Sequence, residues 1–310
     1  EGLKIDADVQ ATALSLAIGN MAFTISGFAA ADVNLNKDII ELMLNGNTLA
    51  DTIHVTGSYS DGISYGTAGI SYGTALYSAG SRQLSVGLTA KYIRGLAVEK
   101  LVELQGLATT LETGFEGSGR AIIRTADGGH GYGLDLGAAL KFNDTYTVGA
   151  RVQNVLGHIN WNKGTQEHGY IFEFDTATVD DIEEDDYIGS EDYSLDIASF
   201  RTTLPTVMNV GIAKASGRLL WAIDWIQGLG NSPGASTKPH LAVGAEYALL
   251  KMLPVRAGYA TGGDNNAAFS FGTGLRLLGF YLDAAVFTGT TGSVYSTKGA
   301  NFALSTGLQF

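Results

Sequence analysis

The chain has 310 residues, no cysteine, 42 glycines and only 16% charged residues, which excludes disulfides and thiolate metal sites and argues against disorder. Its net charge of −12 is local, because ten acidic residues and no basic residue lie between Asp175 and Asp196. The remainder is close to neutral and lacks the basic face that nucleic-acid binding requires, so we expect no nucleic-acid partner.

Residues 11–31 carry no charge and are long enough for a membrane helix. However, bulky apolar side chains fall on every second position, at Leu14, Leu16 and Ile18. The pair Gly19-Asn20 also interrupts the run. Alternation around a tight turn predicts a hairpin of two strands, 3–18 and 21–34, and argues against the helix.

After this hairpin the apolar period changes to about 3.6, which is typical of a helix. Asn36 can cap a helix that runs to Asn45, and Gly46 can end it. The apolar side of this helix is formed by Ile39, Leu42 and Met43. We therefore expect an external loop at 35–61 with a short helix, which either covers an apolar patch or acts as a lid over a barrel mouth.

The period of two returns from residue 62 and continues to the end of the chain. It is clearest at 132–142 and at 302–310, where bulky residues alternate with small or polar ones. Each such strand has one apolar face and one small, polar face. A soluble sandwich would turn the apolar face towards a core, whereas a membrane barrel turns it towards lipid.

The predicted turns decide between these two folds. Short turns are predicted near 20, 80, 143, 217, 251 and 278, and mostly longer connections at 35–61, 106–119, 176–191, 228–239, 262–267 and 289–300. The two classes alternate strictly, as in outer-membrane barrels with short periplasmic turns and long external loops. We predict an all-β fold, a transmembrane antiparallel up-and-down β-barrel of about 14 strands. It forms one domain, residues 1–310, in the bacterial outer membrane.

Thirteen strands are predicted, and the first and the last run in the same direction. Bacterial barrels normally have an even number of strands. We therefore expect one further strand upstream of Glu1, which pairs with the closing strand at 300–310.

Turning the bulky residues towards lipid places a charged set inside the barrel. It contains four acidic and four basic residues: Asp135, Lys141, Arg151, Asp224, Glu246, Arg256, Arg276 and Asp283. In a sandwich these residues would face solvent, but the aromatic residues on the other face would then need a second layer. We expect the lumenal charges to pair across the lumen, and the glycines beside them to leave room for a plug or a small molecule.

No catalytic constellation is present, so we predict that the protein is not an enzyme and has no cofactor. The five histidines lack metal-ligand spacing, and no serine lies in a nucleophile-elbow motif. The acidic external loop at 176–191 is either a solvated loop or a weak calcium site, although it lacks EF-hand spacing. The candidate calcium ligands are Asp181, Glu184, Asp185 and Asp186.

Several segments resemble FadL-superfamily outer-membrane barrels. They are GLDLG at 133–137, FND at 142–144, VGARVQN at 148–154, LPT at 204–206, GAEY at 244–247, RAGY at 256–259 and FGTGLR at 271–276. Within this superfamily the chain is most similar to an uncharacterised branch near the PorV-type barrels of the type 9 secretion system. The N-terminal Asn-Pro-Ala-Gly element common in the superfamily is absent, so transport through an N-terminal hatch is not carried over.

The resemblance implies a 14-stranded barrel and leaves two functions open. FadL-like members carry hydrophobic molecules inward, which implies a barrel that binds or passes a small hydrophobic ligand. PorV-like members hold secreted proteins at the cell surface, which implies an anchor or scaffold that does not transport. The lumenal glycines and the lid helix favour the first, and the long charged external loops favour the second.

Overall fold

The computed structural model describes residues 2–46, 49–177, 189–263, 267–290 and 297–309. The strands are β1 (Leu3–Ile18), β2 (Met21–Leu35), β3 (Thr52–His54), β4 (Tyr59–Ala79), β5 (Arg82–Leu111), β6 (Gly114–Ala126), β7 (Gly128–Phe142), β8 (Tyr146–Gln153), β9 (His158–Lys163), β10 (Gln166–Ala177), β11 (Gly189–Asp196), β12 (Phe200–Thr203), β13 (Val207–Ser216), β14 (Leu219–Gly228), β15 (His240–Leu250), β16 (Leu253–Gly262), β17 (Ala267–Leu277), β18 (Phe280–Thr290) and β19 (Thr297–Leu308). The helix is α1 (Lys37–Asn45). No helix among the described residues is long and apolar enough to cross a membrane, and residues 11–31 lie in β1, β2 and the turn between them.

The strands form one antiparallel meander, in which each wall strand pairs with its neighbours along the chain. β5 pairs with both β6 and β7, which together make one wall strand. The segments β8, β9 and β10 likewise make one strand that pairs along β7 and β6. β11, β12 and β13 make the next one. The all-β prediction and its up-and-down topology are confirmed.

The six predicted short turns are all present and lie at one end of the wall strands, which we call the turn side. Gly19 and Gly217 adopt φ values of 59° and 61°, the left-handed region that a tight hairpin turn requires. The longer connections lie at the other end, the loop side. Among the described residues, the sorting of turns predicted from sequence therefore holds, with two departures, at 106–119 and at 228–239.

The first departure is the long external loop predicted at 106–119, which is wrong. β5 and β6 continue through this segment as a hairpin and turn at Glu112-Thr113. Glycines suggested a loop, but Gly106 and Gly119 lie in the ladder, where Gly119 accommodates the Phe172 ring of β10. Because the ring occupies the space of a β-carbon, glycine is a packing requirement at this position rather than a sign of a turn.

This hairpin belongs to a projecting sheet, formed by β3, β5 beyond Lys100, β6, β10 and β11. The ladder between β4 and β5 ends at the pair Asp61 and Lys100, whereas β5 continues to Leu111. At about 3.3 Å per residue, β5 extends roughly 35 Å along its own length beyond the end of that ladder. On this part of the loop side, the projecting sheet thus extends well beyond the end of the β4–β5 ladder.

The meander curves into a barrel wall with its bulky side chains outside. Residues of β1, β2, β13 and β14 line the same internal cavity, so distant strands face each other across a lumen. On the outer face, Phe271, Phe302 and Leu304 are 61%, 82% and 77% exposed, and no second layer of described residues covers them. This arrangement fits a membrane barrel and not a sandwich.

β1 and β19 form the two edges of the meander. Among the described residues, β1 pairs only with β2 and β19 only with β18, and both run from the loop side to the turn side. The strand expected between them, upstream of Glu1, stays a prediction.

The principal apolar cluster lies inside the loop end of the barrel. It contains Ile63, Ile93, Val98, Ala126, Ile159, Trp161 and Leu204. The Trp161 ring is fully buried against Gly95, where an added β-carbon would lie 2.6 Å from the ring. Its indole N–H donates to the Thr202 hydroxyl at 2.9 Å, so burial leaves no unsatisfied donor on the ring.

The predicted helix is present as α1. The Asn36 side chain accepts from the backbone N–H of Asp38 and donates to the carbonyls of His54 and Thr56, which ties α1 to the segment around β3. On the exposed side of α1, a hydrogen bond with Glu41 raises the pKa of Lys37. Ile39 is half-buried and Leu42 is 38% exposed, whereas the Met43 side chain lies outside the described part. The role of α1 as a lid stays a prediction.

Candidate lumenal binding site

The barrel interior contains a chamber at its loop side, which we call the loop-side chamber. Its volume is about 350 Å³, within the range of small-molecule sites. The part of its lining towards the loop side is apolar and contains Phe28, Ile63, Tyr65, Ile93 and Leu204. The part towards the turn side lies on the same strands, β2, β4 and β5, and carries the hydroxyl groups of Thr24, Ser26, Thr67, Ser71 and Thr89. The chamber is therefore apolar at its upper end and forms hydrogen bonds at its lower end.

The ceiling of this chamber is the connection between β14 and β15, residues 229–239, which we call the inner loop. Its tip packs against the lumenal ring of Phe28, and a β-carbon on Gly234 would lie 2.6 Å from that ring. The Asn231 side chain accepts from the backbone N–H and the hydroxyl of Thr237, at 3.1 Å each. The loop predicted at 228–239 as an external loop thus turns into the lumen and is held by its own hydrogen bonds.

The floor of the chamber is a charged group that we call the septal cluster: Lys91, Asp135, Arg151 and Asn154. The Asp135 carboxylate is only 5% exposed and pairs with Lys91 at 2.6 Å and Arg151 at 2.8 Å. The backbone N–H of Asn154 donates to the same carboxylate at 2.9 Å. Three charge-assisted contacts compensate for the burial of Asp135, which would otherwise be costly.

Asn154 also links the septal cluster to an interruption in the wall. The ladder between β8 and β13 ends at Gln153 and Val207, and the ladder between β9 and β12 begins at His158 and Thr203. Asn154 has φ of 53°, and its side chain donates to the Pro205 carbonyl at 3.1 Å and accepts from Lys91 at 2.5 Å. The same residue therefore closes the gap in the wall and positions the lysine of the cluster.

Below the septal cluster lies a second cavity of about 790 Å³, the turn-side vestibule. Its lining is rich in glycine and alanine, including Gly87, Gly137, Ala139, Gly149 and Ala222. Asp135, Arg151, Ser71 and Thr89 line both cavities, so the cluster lies between them. The lumen is thus divided into two chambers by one ionic septum.

A second charged group, the turn-side cluster, lies in the other half of the wall: Glu246, Arg256, Arg276 and Asp283. Arg256 donates to Glu246 at 2.7 Å and to Asp283 at 2.9 Å, and Arg276 donates to Asp283 at 2.8 Å. Gly274 stands where a β-carbon would collide with the Asp283 carboxylate. Its lack of a side chain lets the arginine of β16 reach the aspartate of β18 across β17.

The structure places the eight predicted lumenal residues in different surroundings. Asp135 and Arg151 belong to the septal cluster, and four others form the turn-side cluster. Asp224 lines the vestibule beside Gly211 without an ion pair to any described residue. Lys141 lies next to a short turn and pairs with Asp144 at 3.9 Å, with its side chain 51% exposed. The paired charges contact residues on the same or nearby strands of the wall, whereas the expectation was pairing across the lumen.

Three elements of the site escaped sequence reasoning. Lys91 lies on the lumenal face of β5, between the outward-facing Ala90 and Tyr92. The alternation of side chains along this strand could therefore have identified Lys91 as a lumenal residue. The role of Asn154 depends on its positive φ, which the sequence does not show. The inward path of the inner loop depends on its packing against Phe28, which no local sequence pattern predicts. The proposed calcium ligands Asp181, Glu184, Asp185 and Asp186 lie outside the described residues.

Solved structures with the same fold include two toluene transporters and a FadL homologue, all from bacteria. The toluene transporter TbuX of Ralstonia pickettii is 13% identical with a TM-score of 0.54, over 89% of this chain and 74% of that one. The toluene transporter TodX of Pseudomonas putida is 14% identical with a TM-score of 0.52, over 89% and 74%. A FadL homologue of Pseudomonas aeruginosa is 16% identical with a TM-score of 0.51, over 92% and 69%. At these identities the likeness establishes the FadL-type barrel fold.

No curated protein matches the chain in sequence. A family model described as a family of unknown function, DUF5723, matches residues 99–284, which is more than half of the chain. The matched region contains Asp135, Arg151 and the whole turn-side cluster. The structure therefore describes a FadL-type barrel, and the chain belongs to the DUF5723 family.

Proposed function

We propose that the protein is an outer-membrane barrel that binds a small hydrophobic molecule in the loop-side chamber and passes it across the membrane. The observation that carries this proposal is the divided lumen, with two cavities stacked along the barrel and one septal cluster between them. TbuX and TodX are described as toluene transporters, and they share this fold. No catalytic role and no cofactor are proposed.

The apolar upper end and the hydroxyl-bearing lower end of the chamber suggest how a ligand is held. The apolar body of a ligand would pack against Phe28, Ile63 and Leu204, where burial contributes about 25 cal/mol per Å² of apolar surface. A hydroxyl or carbonyl group on the ligand would bond to the hydroxyl groups at the lower end of the chamber, next to the septal cluster. Passage then requires the Arg151 side chain to move, because it contacts Asp135 at the septum and is 54% exposed.

Solute flux into liposomes that contain the full chain tests this proposal. We expect small aromatic solutes to enter faster than sugars of similar size. Ser71→Trp places a large ring on the lumenal face, next to both cavities, and should remove most of the flux. Ile70→Trp is the matched control, because Ile70 is 55% exposed on the outer face of the same strand and its replacement should leave flux unchanged.

The proposal fails if a correctly folded barrel passes none of the solutes, or if the two tryptophan variants behave alike. Heat-modifiable migration on a gel shows whether each variant is folded before flux is measured. Equal loss of flux in both variants would indicate a general disturbance of the wall rather than a lumenal path.

A second candidate function is a PorV-like anchor that holds another protein at the cell surface. The observation that favours it is the projecting sheet, which rises above the rest of the barrel and exposes side chains on both faces, including Leu107 at 46% and Tyr170 at 50%. A sheet that stands above the barrel with both faces open gives another protein room to bind. Co-purification of a surface protein together with absence of flux would favour this function over the first.

A further inference from the structure

The free edge of the projecting sheet is β11. On one side β11 pairs with β10 over eight residue pairs, from Gln166 and Asp196 to Glu173 and Gly189. Within the described part of the chain, no strand pairs with its other side. Five of the six residues from Glu191 to Asp196 are exposed. The backbone on this side therefore presents N–H and C=O groups that another strand can bond.

Natural edge strands are usually protected by charged side chains, especially lysine, or by proline, bulges or a covering loop. β11 contains no lysine and no proline, and its ladder with β10 shows no bulge. Its charged residues are all acidic: Glu191, Asp192 and Asp196. These carboxylates disfavour the addition of an acidic strand and leave the edge open to a strand with basic side chains.

We infer that β11 is a docking edge for an extended, basic segment of a partner protein, which adds to the projecting sheet as a further strand. This inference deepens the second candidate function, on which it rests, and it does not depend on a ligand in the lumen. Main-chain hydrogen bonds supply the affinity in this mode of recognition, and the alternating side chains supply the specificity.

The two faces of β11 define the partner strand. Asp192, Ser194 and Asp196 lie on one face, and Glu191, Tyr193 and Leu195 on the other. Side chains directly opposite each other on neighbouring strands interact, with opposite charges favourable and like charges unfavourable. The partner strand should therefore carry basic residues on the face of Asp192 and Asp196, and apolar residues on the face of Tyr193 and Leu195.

A second copy of this chain fits the edge poorly. Pairing of two β11 strands would place carboxylates near carboxylates on both faces, which is destabilising. The sequence around the edge adds to the repulsion, because residues 175–196 contain ten acids and no base. The acidic charge therefore favours a different, basic partner.

Binding of three synthetic peptides to the detergent-solubilised full chain tests the inference. The first is a ten-residue peptide of alternating lysine and valine, and the second replaces each lysine with glutamate. The third keeps every lysine but replaces the central valines with proline, so that it has the same charge and cannot form a ladder. We expect binding of the first peptide only, measured by fluorescence anisotropy, with slower amide hydrogen exchange in 191–196.

A triple variant, Glu191→Gln, Asp192→Asn and Asp196→Asn, removes the charge of the edge. It should lower the affinity for the lysine–valine peptide about tenfold, as expected for the loss of two cross-strand ion pairs, at Asp192 and Asp196. The control removes acids elsewhere on the same sheet, with Glu112→Gln and Glu116→Gln at the hairpin of β5 and β6, and should leave affinity unchanged.

Several results would overturn the inference. Equal binding of the proline peptide would show general attraction of charge without strand addition. Neutralisation of Asp181, Glu184, Asp185 and Asp186 that abolishes binding while the β11 triple variant retains it would place the contact elsewhere. Dimerisation through 191–196 without peptide, detected by cross-linking, would make a second copy the occupant. Flux measurements on the same preparation report on the channel proposal separately.

Discussion

The two halves of the barrel wall are built differently. From β14 onwards every strand has 10 to 12 residues, and the ion pairs of the turn-side cluster lie on neighbouring or next-nearest strands. The first half contains strands of up to 30 residues, an interrupted wall at Asn154, the fully buried Trp161 and the septal cluster. Regular alternation is enough for a wall, whereas a divided lumen and a projecting sheet require departures from it.

The largest expected effect of this difference concerns the charged clusters. Asp135→Ala would leave Lys91, whose side chain is 13% exposed, without its carboxylate partner. Loss of one partner from a buried pair costs about 3–5 kcal/mol, so we expect that decrease in the free energy of unfolding. Denaturant titration in detergent micelles measures it. Lys141→Ala is the control, since its exposed contact with Asp144 is worth at most about 1 kcal/mol.

In the second half, Asp283→Ala should cost less than Asp135→Ala. Asp283 accepts from Arg256 and Arg276, but its side chain is 19% exposed and water can solvate the arginines that remain. Hydrogen bonds to charged groups contribute about 1.5–3 kcal/mol, which sets the expected loss in the same titration. An equal or larger loss than for Asp135→Ala would contradict the view that the septal cluster is the more deeply buried one.

Replacement of two strand glycines, one in each half, should change the free energy of unfolding by smaller amounts and in opposite directions. A β-carbon on Gly95 would lie 2.6 Å from the Trp161 ring, so Gly95→Ala should destabilise by about 1–3 kcal/mol through overpacking. On Gly244 the nearest atom lies at 3.7 Å, an ordinary contact, so Gly244→Ala should stabilise by about 0.5–1 kcal/mol through reduced chain entropy. The same sign of change in both variants would refute this difference in packing.

The smallest effect is expected where the projecting sheet begins. Lys100 contacts Asp61 at 3.5 Å, and its side chain is 60% exposed. Lys100→Ala should therefore change the free energy of unfolding by less than about 1 kcal/mol. High salt should reduce that difference further, because exposed charges are screened. A loss comparable with that of Asp135→Ala would contradict the view that this exposed pair contributes less to stability than the buried septal cluster.

The sequence predicted the second half of the barrel almost completely. The turns near 217, 251 and 278 and the strands between them are present, because a strict period of two and short glycine turns are local properties of the chain. The same period placed Glu246, Arg256, Arg276 and Asp283 on one face, where they now form one cluster. It did not show that they pair within the wall, since that depends on the register between strands.

The first half was predicted in outline. The hairpin of β1 and β2 and the cap of α1 at Asn36 are both present. The loop expected at 106–119 is a hairpin, because its glycines make room for neighbouring side chains and do not turn the chain. A glycine in a turn and a glycine that makes room for a neighbouring side chain look the same in the sequence, so composition alone could not distinguish a loop from a hairpin here.

By itself the sequence determined an all-β meander with apolar and polar faces, short turns on one side and an acidic segment on the other. These properties follow from side-chain alternation and turn chemistry, which act over a few residues. Only the tertiary structure decided that Lys91 and Asn154 complete the Asp135 site, that the inner loop enters the lumen and that β11 is left as a free edge. Those features join residues 19 to 206 positions apart in contacts that no local pattern encodes.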